Sequence, residues 1–374
     1  MTTDRLLTVM VTSHRIALIP GDGIGQEVLP PACAVLDAVG GRHGIEFAYD
    51  SFDWSCERYV AKGAMMPDDG LDQIRHHDAI LLGAVGWPGV PDHISLWGLL
   101  IPIRRQFRQY VNRRPITILE GVPGPLADAR NVDFVVVREN VEGEYSEIGG
   151  RLNRGFPDEM AVQEAVFTRP GVERILDYAF TLAGQRRGNL VSATKSNGIV
   201  HTMPFWDELT AEQAIHHPGV NWRQEHIDAL VAKIVLHPED FDVIVGSNLF
   251  GDILSDLAAA VAGGIGIAPA ANLNPEREYP SMFEPVHGSA PDIAGQGIAN
   301  PLGAIWSASM MLDHLGHPEA AREVFDSFAH VLATTSARTR DLGGTASTEE
   351  FTAQVLDTIG GARLPAGTGT VRSS

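Results

Sequence analysis

Short apolar runs separated by polar stretches of helical period recur along most of the chain. Arg15-Ile-Ala-Leu-Ile19, Ala79-Ile-Leu-Leu82, Phe134-Val-Val-Val137, Leu190-Val-Ser-Ala193 and Val243-Ile-Val245 each predict a buried strand. Leu96, Leu99, Leu100, Ile103 and Phe107 mark an amphipathic helix, with Pro102 belonging to its first turn or interrupting it. Ile227, Leu230, Val231, Ile234 and Val235 mark another, closed by Pro238. Strands alternating with helices imply an α/β fold with a largely parallel sheet. Gly143 to Phe167 is polar, Gly-punctuated and partly alternating, which predicts hairpins outside the core or a dimer arm.

Two turns carry most of the glycine signal. Pro20-Gly-Asp-Gly-Ile-Gly25 has the spacing GxGxG rather than GxGxxG, and Pro30-Pro31 should interrupt the helix behind it. It therefore reads as a tight strand-to-helix turn lining a cleft, with no phosphate assigned to it. The second turn, Gly246, Ser247, Asn248 and Gly251, leads into a helical period at Ile253, Leu254 and Leu257. On that helix Asp252 and Asp256 stand four apart, so both carboxylates share one face and repel unless a cation lies between them. A hard divalent ion with oxygen ligands meets that need, although a lone pair of this spacing is also met as solvated surface acids.

Composition narrows the classes. With 374 residues the chain has room for two domains, and 44% hydrophobic against 20% charged residues describes an ordinary globular protein. The net charge of 28 − 47 = −19 argues against nucleic-acid binding through a broad basic surface. No apolar run approaches the ~20 residues of a membrane span. Met1 to His14 makes a poor signal peptide and reads as a disordered extension, as does the tail beyond Gly360. Cys33 and Cys56 alone are too few for a disulfide scaffold and suit a reducing cytoplasm.

Several side chains then stand out. Arg104 on the predicted helix, Arg114 in Val111-Asn-Arg-Arg-Pro115 and Arg138 after a strand would suit a di- or tricarboxylate if they converge, since guanidinium forks grip carboxylates bidentately. Lys occurs only at 62, 195 and 233; Lys195 follows a buried strand, where desolvation would bring it toward general-base duty. Tyr145 is either a proton donor or an exposed hairpin aromatic. The loop His287-Gly-Ser-Ala-Pro-Asp292, continuing to Asn300, offers backbone N–H groups for a nucleotide, with Asp292 for ribose hydroxyls and against a 2′-phosphate.

Taken together, Pro20–Gly25, Arg104, Asn112–Pro115, Arg138–Tyr145, Lys195–Asn197, Ile227–Asp228, Gly246–Asp256 and His287–Asn300 resemble the metal-dependent β-decarboxylating dehydrogenases, from about Arg15 to Ile359. That family contains enzymes acting on isocitrate, 3-isopropylmalate, tartrate and D-malate. The resemblance implies two α/β domains on a shared sheet: a large NAD-binding domain of residues 1–110 and 263–374, and a small dimerisation domain of 111–262 with an arm near 143–167. It implies NAD at His287, Gly288, Ser289, Ala290, Pro291, Asp292 and Asn300, and a homodimer with active sites shared between subunits. It also implies Mg²⁺ or Mn²⁺, with a monovalent cation admitted, held by Asp252, Asp256 and a partner's Asp228. Arg104, Arg114 and Arg138 would bind the malate moiety, Lys195 with Asp228 would take the hydroxyl proton, and Tyr145 would protonate the enolate.

Substrate choice rests on the helix before Arg104. Isocitrate enzymes carry Ser and Asn where Gly98 and Leu100 stand, which disfavours isocitrate. Isopropylmalate enzymes usually carry an acid where Trp97 stands, and an indole there fills the space of a 3-alkyl group. A small diacid such as D-malate or tartrate is therefore expected, with 3-isopropylmalate as the alternative. A non-catalytic regulatory paralogue and a dicarboxylate-binding module are the readings outside enzymes. Arg113 departs from the family, which commonly has an apolar residue there.

Overall fold

The computed structural model describes residues 11–126 and 131–361. Of the disordered extension expected over Met1–His14, residues 1–10 lie outside the described residues, but Thr12–His14 open the first strand, paired with Ile45–Phe47. Of the tail expected beyond Gly360, Gly361 closes a helix and the residues from 362 on lie outside the described residues. In chain order the strands are β1 (Thr12–Gly21), β2 (Ile45–Ser51), β3 (Ala79–Ala84), β4 (Val111–Thr117), β5 (Asp133–Glu139) and β6 (Gly149–Leu152). They continue as β7 (Met160–Gln163), β8 (Asn189–Thr194), β9 (Asn221–His226), β10 (Val243–Gly246), β11 (Pro269–Leu273) and β12 (Ser281–Pro285). Ten of them form one sheet in the order β2-β1-β3-β12-β11-β4-β5-β10-β8-β9, and β6 and β7 pair separately.

The sheet has two parallel halves. β2, β1, β3 and β12 run together on one side, and β5, β10, β8 and β9 on the other. Three antiparallel pairings in the middle, β12 with β11, β11 with β4 and β4 with β5, reverse the direction of one half against the other. The first half draws β1, β2 and β3 from the N-terminal part of the chain and β12 from the C-terminal part. The five predicted apolar runs all lie in sheet strands, and Ile16, Ile80, Phe134, Leu190 and Ile244 are fully buried.

Prolines explain the main departures. Helix Gly25–His43 runs through Pro30 and Pro31 rather than stopping at them. Each Pro costs about 3 kcal/mol inside a helix. Against that, Val28, Leu29, Val35, Leu36 and Val39 are buried along the same helix, each worth roughly 1.5–3 kcal/mol. Burial wins, and Pro30 sits on the exposed side, where water reaches the carbonyls left without amide partners. β4 carries Pro115 in a mid-sheet strand, yet β11 pairs only with Val111–Arg113, so at Pro115 the strand has β5 alone as neighbour.

Pro102 leaves a different mark. The segment forms an α-helix at Asp92–Ser95, a π turn at Leu96–Leu100 and a second α-helix at Ile101–Gln106. The Ile101 N–H donates to Leu96, five residues back, just before the residue that has no N–H. The glycines after β1 form the tight strand-to-helix turn expected, between Gly21 and Gly25, and it also packs against a second loop. Gly23 has φ +55°, and a Cβ there would lie 2.0 Å from the Ser289 carbonyl. The turn thus seats the His287 loop, with Ile24 N donating to the Ser289 carbonyl at 2.8 Å.

Candidate active site

The paired carboxylates come from the helix Asn248–Val261, which begins four residues earlier than a turn through Gly251 predicts. Ser247 caps it by accepting from Phe250 N, and Gly251 lies inside it. Gly251 has a packing reason: a Cβ there would meet Arg138 Cβ at 2.5 Å. Arg138, the penultimate residue of β5 rather than a residue beyond it, runs beneath this helix.

Three arginines do converge, and two already hold the aspartates. Arg138 Nη1 donates to Asp252 Oδ1, and its Nε and Nη2 donate to Asn248 Oδ1 at 3.1 and 2.7 Å. Arg114 Nη1 donates to Asp256 at 2.8 Å and to Ser255 Oγ at 2.8 Å, while its Nη2 lies 3.4 Å from Asp252. Tyr145 Oη donates to Asp252 Oδ2 at 3.0 Å, so this tyrosine belongs to the site and is no stray hairpin aromatic. Burial and the Asp252 carboxylate raise the Tyr145 pKa. Burial pushes the Arg138 guanidinium down to about 10 against the pull of Asp252, leaving it cationic at neutral pH.

A polar network invisible to hydrophobic patterning ties these groups to Arg104. Arg104 Nη2 donates to Glu284 at 2.8 Å; Asn272 donates to the same carboxylate at 2.7 Å and accepts from Asn112 at 2.8 Å and Asn140 at 2.9 Å. Asn112 in turn accepts from Arg114 Nε at 2.8 Å. Glu284, Asn272, Asn112 and Asn248 are buried and were not singled out as site residues. Asn272 and Glu284 carry one sequence signal, a polar residue in a mostly apolar strand; Asn112, in a polar run of β4, and Asn248, at a helix start, lack even that. Buried amides joined this way hold the guanidinium forks in fixed directions.

Arg104 and Arg114 line a cavity of about 180 Å³ with Leu100, Glu284, His287 and Gly288. Alternation along β4 turns Arg113 to the other face, into a separate cavity of about 470 Å³ lined also by Tyr178, Trp306 and Asp313. The extra charge at Arg113 therefore stays out of the smaller cavity; it lies 3.9 Å from Asp313. Trp97 does not line the smaller cavity and instead stacks under Arg105, 4.9 Å from its guanidinium carbon.

Glu139 ends β5 beside Arg138 and is fully buried, with Oε1 accepting from Val141 N at 2.8 Å and Glu142 N at 3.0 Å and Oε2 unpartnered. Burial, only partly opposed by these amides and Arg174, pushes its carboxyl up to about 7. A carboxyl raised in the folded state adds stability below its unfolded pKa and loses it as pH rises through the folded value. The Glu139→Gln variant is therefore expected to gain stability over the parent on going from about pH 5 to about pH 8, by a few kcal/mol at most. Urea melts at both pH values measure it; parallel pH dependence in the two proteins would contradict the raised carboxyl.

Lys195 stands just past β8, as predicted, and its Nζ donates to Asp228 Oδ1 at 2.5 Å. The desolvation expected there is absent within one chain: the Lys195 and Asp228 side chains are 31% and 68% exposed. Lys195 lowers the Asp228 pKa. The oxygen donors of Asp252 and Asp256 suit a hard cation in kind but fall short in number. Among the described residues no three His, Cys, Asp or Glu side chains gather where a metal ion would fit.

The His287 loop suits a nucleotide in part. His287 Nδ1 lies 2.9 Å from the Gly288 carbonyl, its Nε2 is buried without a partner, and burial lowers its pKa. Asp292 is exposed, and Asn300 donates to Asp341 at 2.9 Å while accepting from Leu302 N at 3.0 Å. The loop amides are less free than expected, because Glu27 accepts from Gly295 N and, at 3.0 Å, from Gly297 N.

Comparison with known proteins agrees with this geometry. Residues 15–355 match the family model described as isocitrate/isopropylmalate dehydrogenase. A tartrate dehydrogenase/decarboxylase of Pseudomonas putida is 54% identical over 93% of this chain and 98% of its own length. A decarboxylating D-malate dehydrogenase of Escherichia coli is 54% identical over 94% of this chain and 98% of its own. Among solved structures, isocitrate dehydrogenase from Methylococcus capsulatus superposes with a TM-score of 0.83 at 34% identity, covering 92% of this chain and 99% of that one. On matched length, identity and shared architecture, the chain belongs to the isocitrate/isopropylmalate dehydrogenase family.

Proposed function

We propose that the chain catalyses the NAD- and divalent-metal-dependent oxidative decarboxylation of a small 2-hydroxy dicarboxylic acid: D-malate to pyruvate and CO₂, tartrate, or both. The observation that carries this reading is that Arg114 and Arg138 pair with Asp256 and Asp252, while Arg104 joins Arg114 on the wall of a cavity of only about 180 Å³. Leu100 on its wall offers no hydrogen bond to a third carboxylate, and relatives at 54% identity are named for tartrate and D-malate.

The arginines have counter-ions now and need them until substrate arrives. Arg114 and Arg138, paired in this structure with Asp256 and Asp252, carry guanidinium forks that would bind the carboxylates of the acid. Asp252 and Asp256, with the partner's Asp228, would hold Mg²⁺ or Mn²⁺, which would supply Lewis acidity to the oxygens of the substrate. The partner subunit's Lys195, with its Asp228, takes the hydroxyl proton while hydride passes from C2 to NAD. The β-carboxylate then leaves as CO₂, its bonding pair forms the enolate, and Tyr145 delivers the proton to carbon.

The partner's share is supported by two features of one chain. The Lys195–Asp228 pair is displaced from the arginine cluster and exposed, and the β6–β7 hairpin leaves Ile148, Leu152, Phe156, Met160 and Val162 uncovered. A homodimer with the hairpin as its arm accounts for both. NAD is assigned to His287–Asn300, where Asp292 favours a free 2′-hydroxyl over a phosphate. Among the described residues no helix is long and apolar enough to cross a membrane, and two unpaired cysteines fit the cytoplasm.

A substrate panel read by NADH absorbance tests the proposal. D-malate or tartrate is expected to give the highest kcat/KM, and EDTA to abolish turnover. Preference for 3-isopropylmalate would overturn the substrate assignment, and full activity after exhaustive chelation would overturn the metal.

A further inference from the structure

Arg104 and Arg105 are neighbours with different tasks. Arg104 faces the cavity, whereas Arg105 reaches across to the segment after β5. Its Nη2 donates to the main-chain carbonyl of Tyr145 at 2.7 Å, and its Nη1 to Glu147 at 2.9 Å. Its guanidinium plane lies over the Trp97 ring, 4.9 Å from the centroid. The contact is a consequence of the π turn. Residues eight apart stand about 80° round the axis in an unbroken α-helix. The extra residue of the π turn at Leu96–Leu100 brings Trp97 and Arg105 back into line, and the Arg side chain leans toward the helix N-terminus onto the indole. Pro102 keeps the turn in place, because it has no N–H for the regular ladder.

We propose that Arg105, seated on Trp97, is the positioning residue for Tyr145: it ties the wall that carries Arg104 to the segment that carries the proton donor, and so governs protonation of the product enolate. This rests on the proton-donor role given to Tyr145 above. A guanidinium with one face on an indole and two N–H groups committed has little rotational freedom, so the Tyr145 carbonyl is held at a fixed point. Tyr145 is gripped at both ends, by Arg105 at its carbonyl and Asp252 at its hydroxyl. The Arg105 clasp involves neither Asp252 nor Arg138, so it does not depend on what those two side chains hold. Trp97 therefore acts on the reaction through Arg105 and Tyr145, without contact with the substrate cavity.

Two measurements on the full-length protein test the clasp, using Arg105→Met and Arg105→Lys. In protein free of metal and nucleotide, amide hydrogen exchange of residues 143–148 is expected to speed up in Arg105→Met. With Mg²⁺ present, deuterium incorporation into the methyl group of pyruvate in D₂O isolates the proton step from hydride transfer. It is expected to slow ~10- to 100-fold in Arg105→Met, with Mg²⁺ affinity and KM for the hydroxy acid changed less than about twofold. Arg105→Lys, which keeps one donor for the Tyr145 carbonyl, is expected to recover part of the rate. Parental amide protection, a parental deuteration rate, or losses matched by equal loss of Mg²⁺ affinity would each overturn the proposal. A parent that turns over D-malate but does not deuterate pyruvate would refute it through Tyr145; a parent that oxidises neither D-malate nor tartrate would instead bring down the functional reading.

Discussion

Asp252→Asn is expected to weaken Mn²⁺ binding by ~100-fold or more, a loss of about 2.7 kcal/mol, and to reduce turnover to near the detection limit. Asp252 is the hub of the site: it accepts from Arg138, Arg114 and Tyr145. Asparagine keeps one oxygen but removes the charge that a hard cation requires. The same change leaves the buried Arg138 guanidinium without its carboxylate, and breaking a buried pair costs roughly 3–5 kcal/mol. The variant should therefore be both metal-blind and less stable. Asp256, with half its side chain in water, pairs with Arg114 alone among the described residues. Asp256→Asn should lose metal affinity with little change in melting temperature, separating the two effects. Calorimetric titration with Mn²⁺ decides the matter: parental affinity in both variants would remove the metal from this helix.

Lys195→Met should lower kcat by ~10² to 10⁴ with KM for the hydroxy acid nearly constant. Its ammonium is bound to Asp228, away from the arginines that would grip carboxylates, so it is expected to contribute to the transfer of a proton. Steady-state kinetics over a substrate series measures the split. A raised KM with unchanged kcat would reassign Lys195 to binding. Mixing inactive Lys195→Met with inactive Asp252→Asn adds a test of the shared site: if each centre draws from two subunits, mixed dimers regain one competent centre and activity returns, whereas sites confined to one chain would stay dead.

Residues with a local signature were legible and residues whose role comes from distant neighbours were not. Asp252 and Asp256 were found because helical spacing alone places them together. Tyr145 was ambiguous until its hydroxyl was seen on Asp252, across more than a hundred residues of chain. Asn112, Asn272 and Glu284 were missed for the same reason. They lie on β4, β11 and β12, strands that are adjacent only in the sheet, and the network exists only there. Lys195 goes the other way: a strand end suggests desolvation, yet its side chain is 31% exposed.

The order of buried strands and amphipathic helices, the carboxylate pair and the Gly-rich turns follow from the sequence by itself. Each depends on side-chain period, or on a backbone freedom that one residue type supplies within a turn or two. Tertiary structure alone decided that the two sheet halves oppose each other through β11 and β4, that helix Gly25–His43 survives two prolines, and that Arg113 and Arg114 serve different cavities. It also decided that Arg105 holds the Tyr145 segment. Those outcomes turn on burial energy and long-range hydrogen bonds, which arise between parts of the chain and are not encoded at any one position.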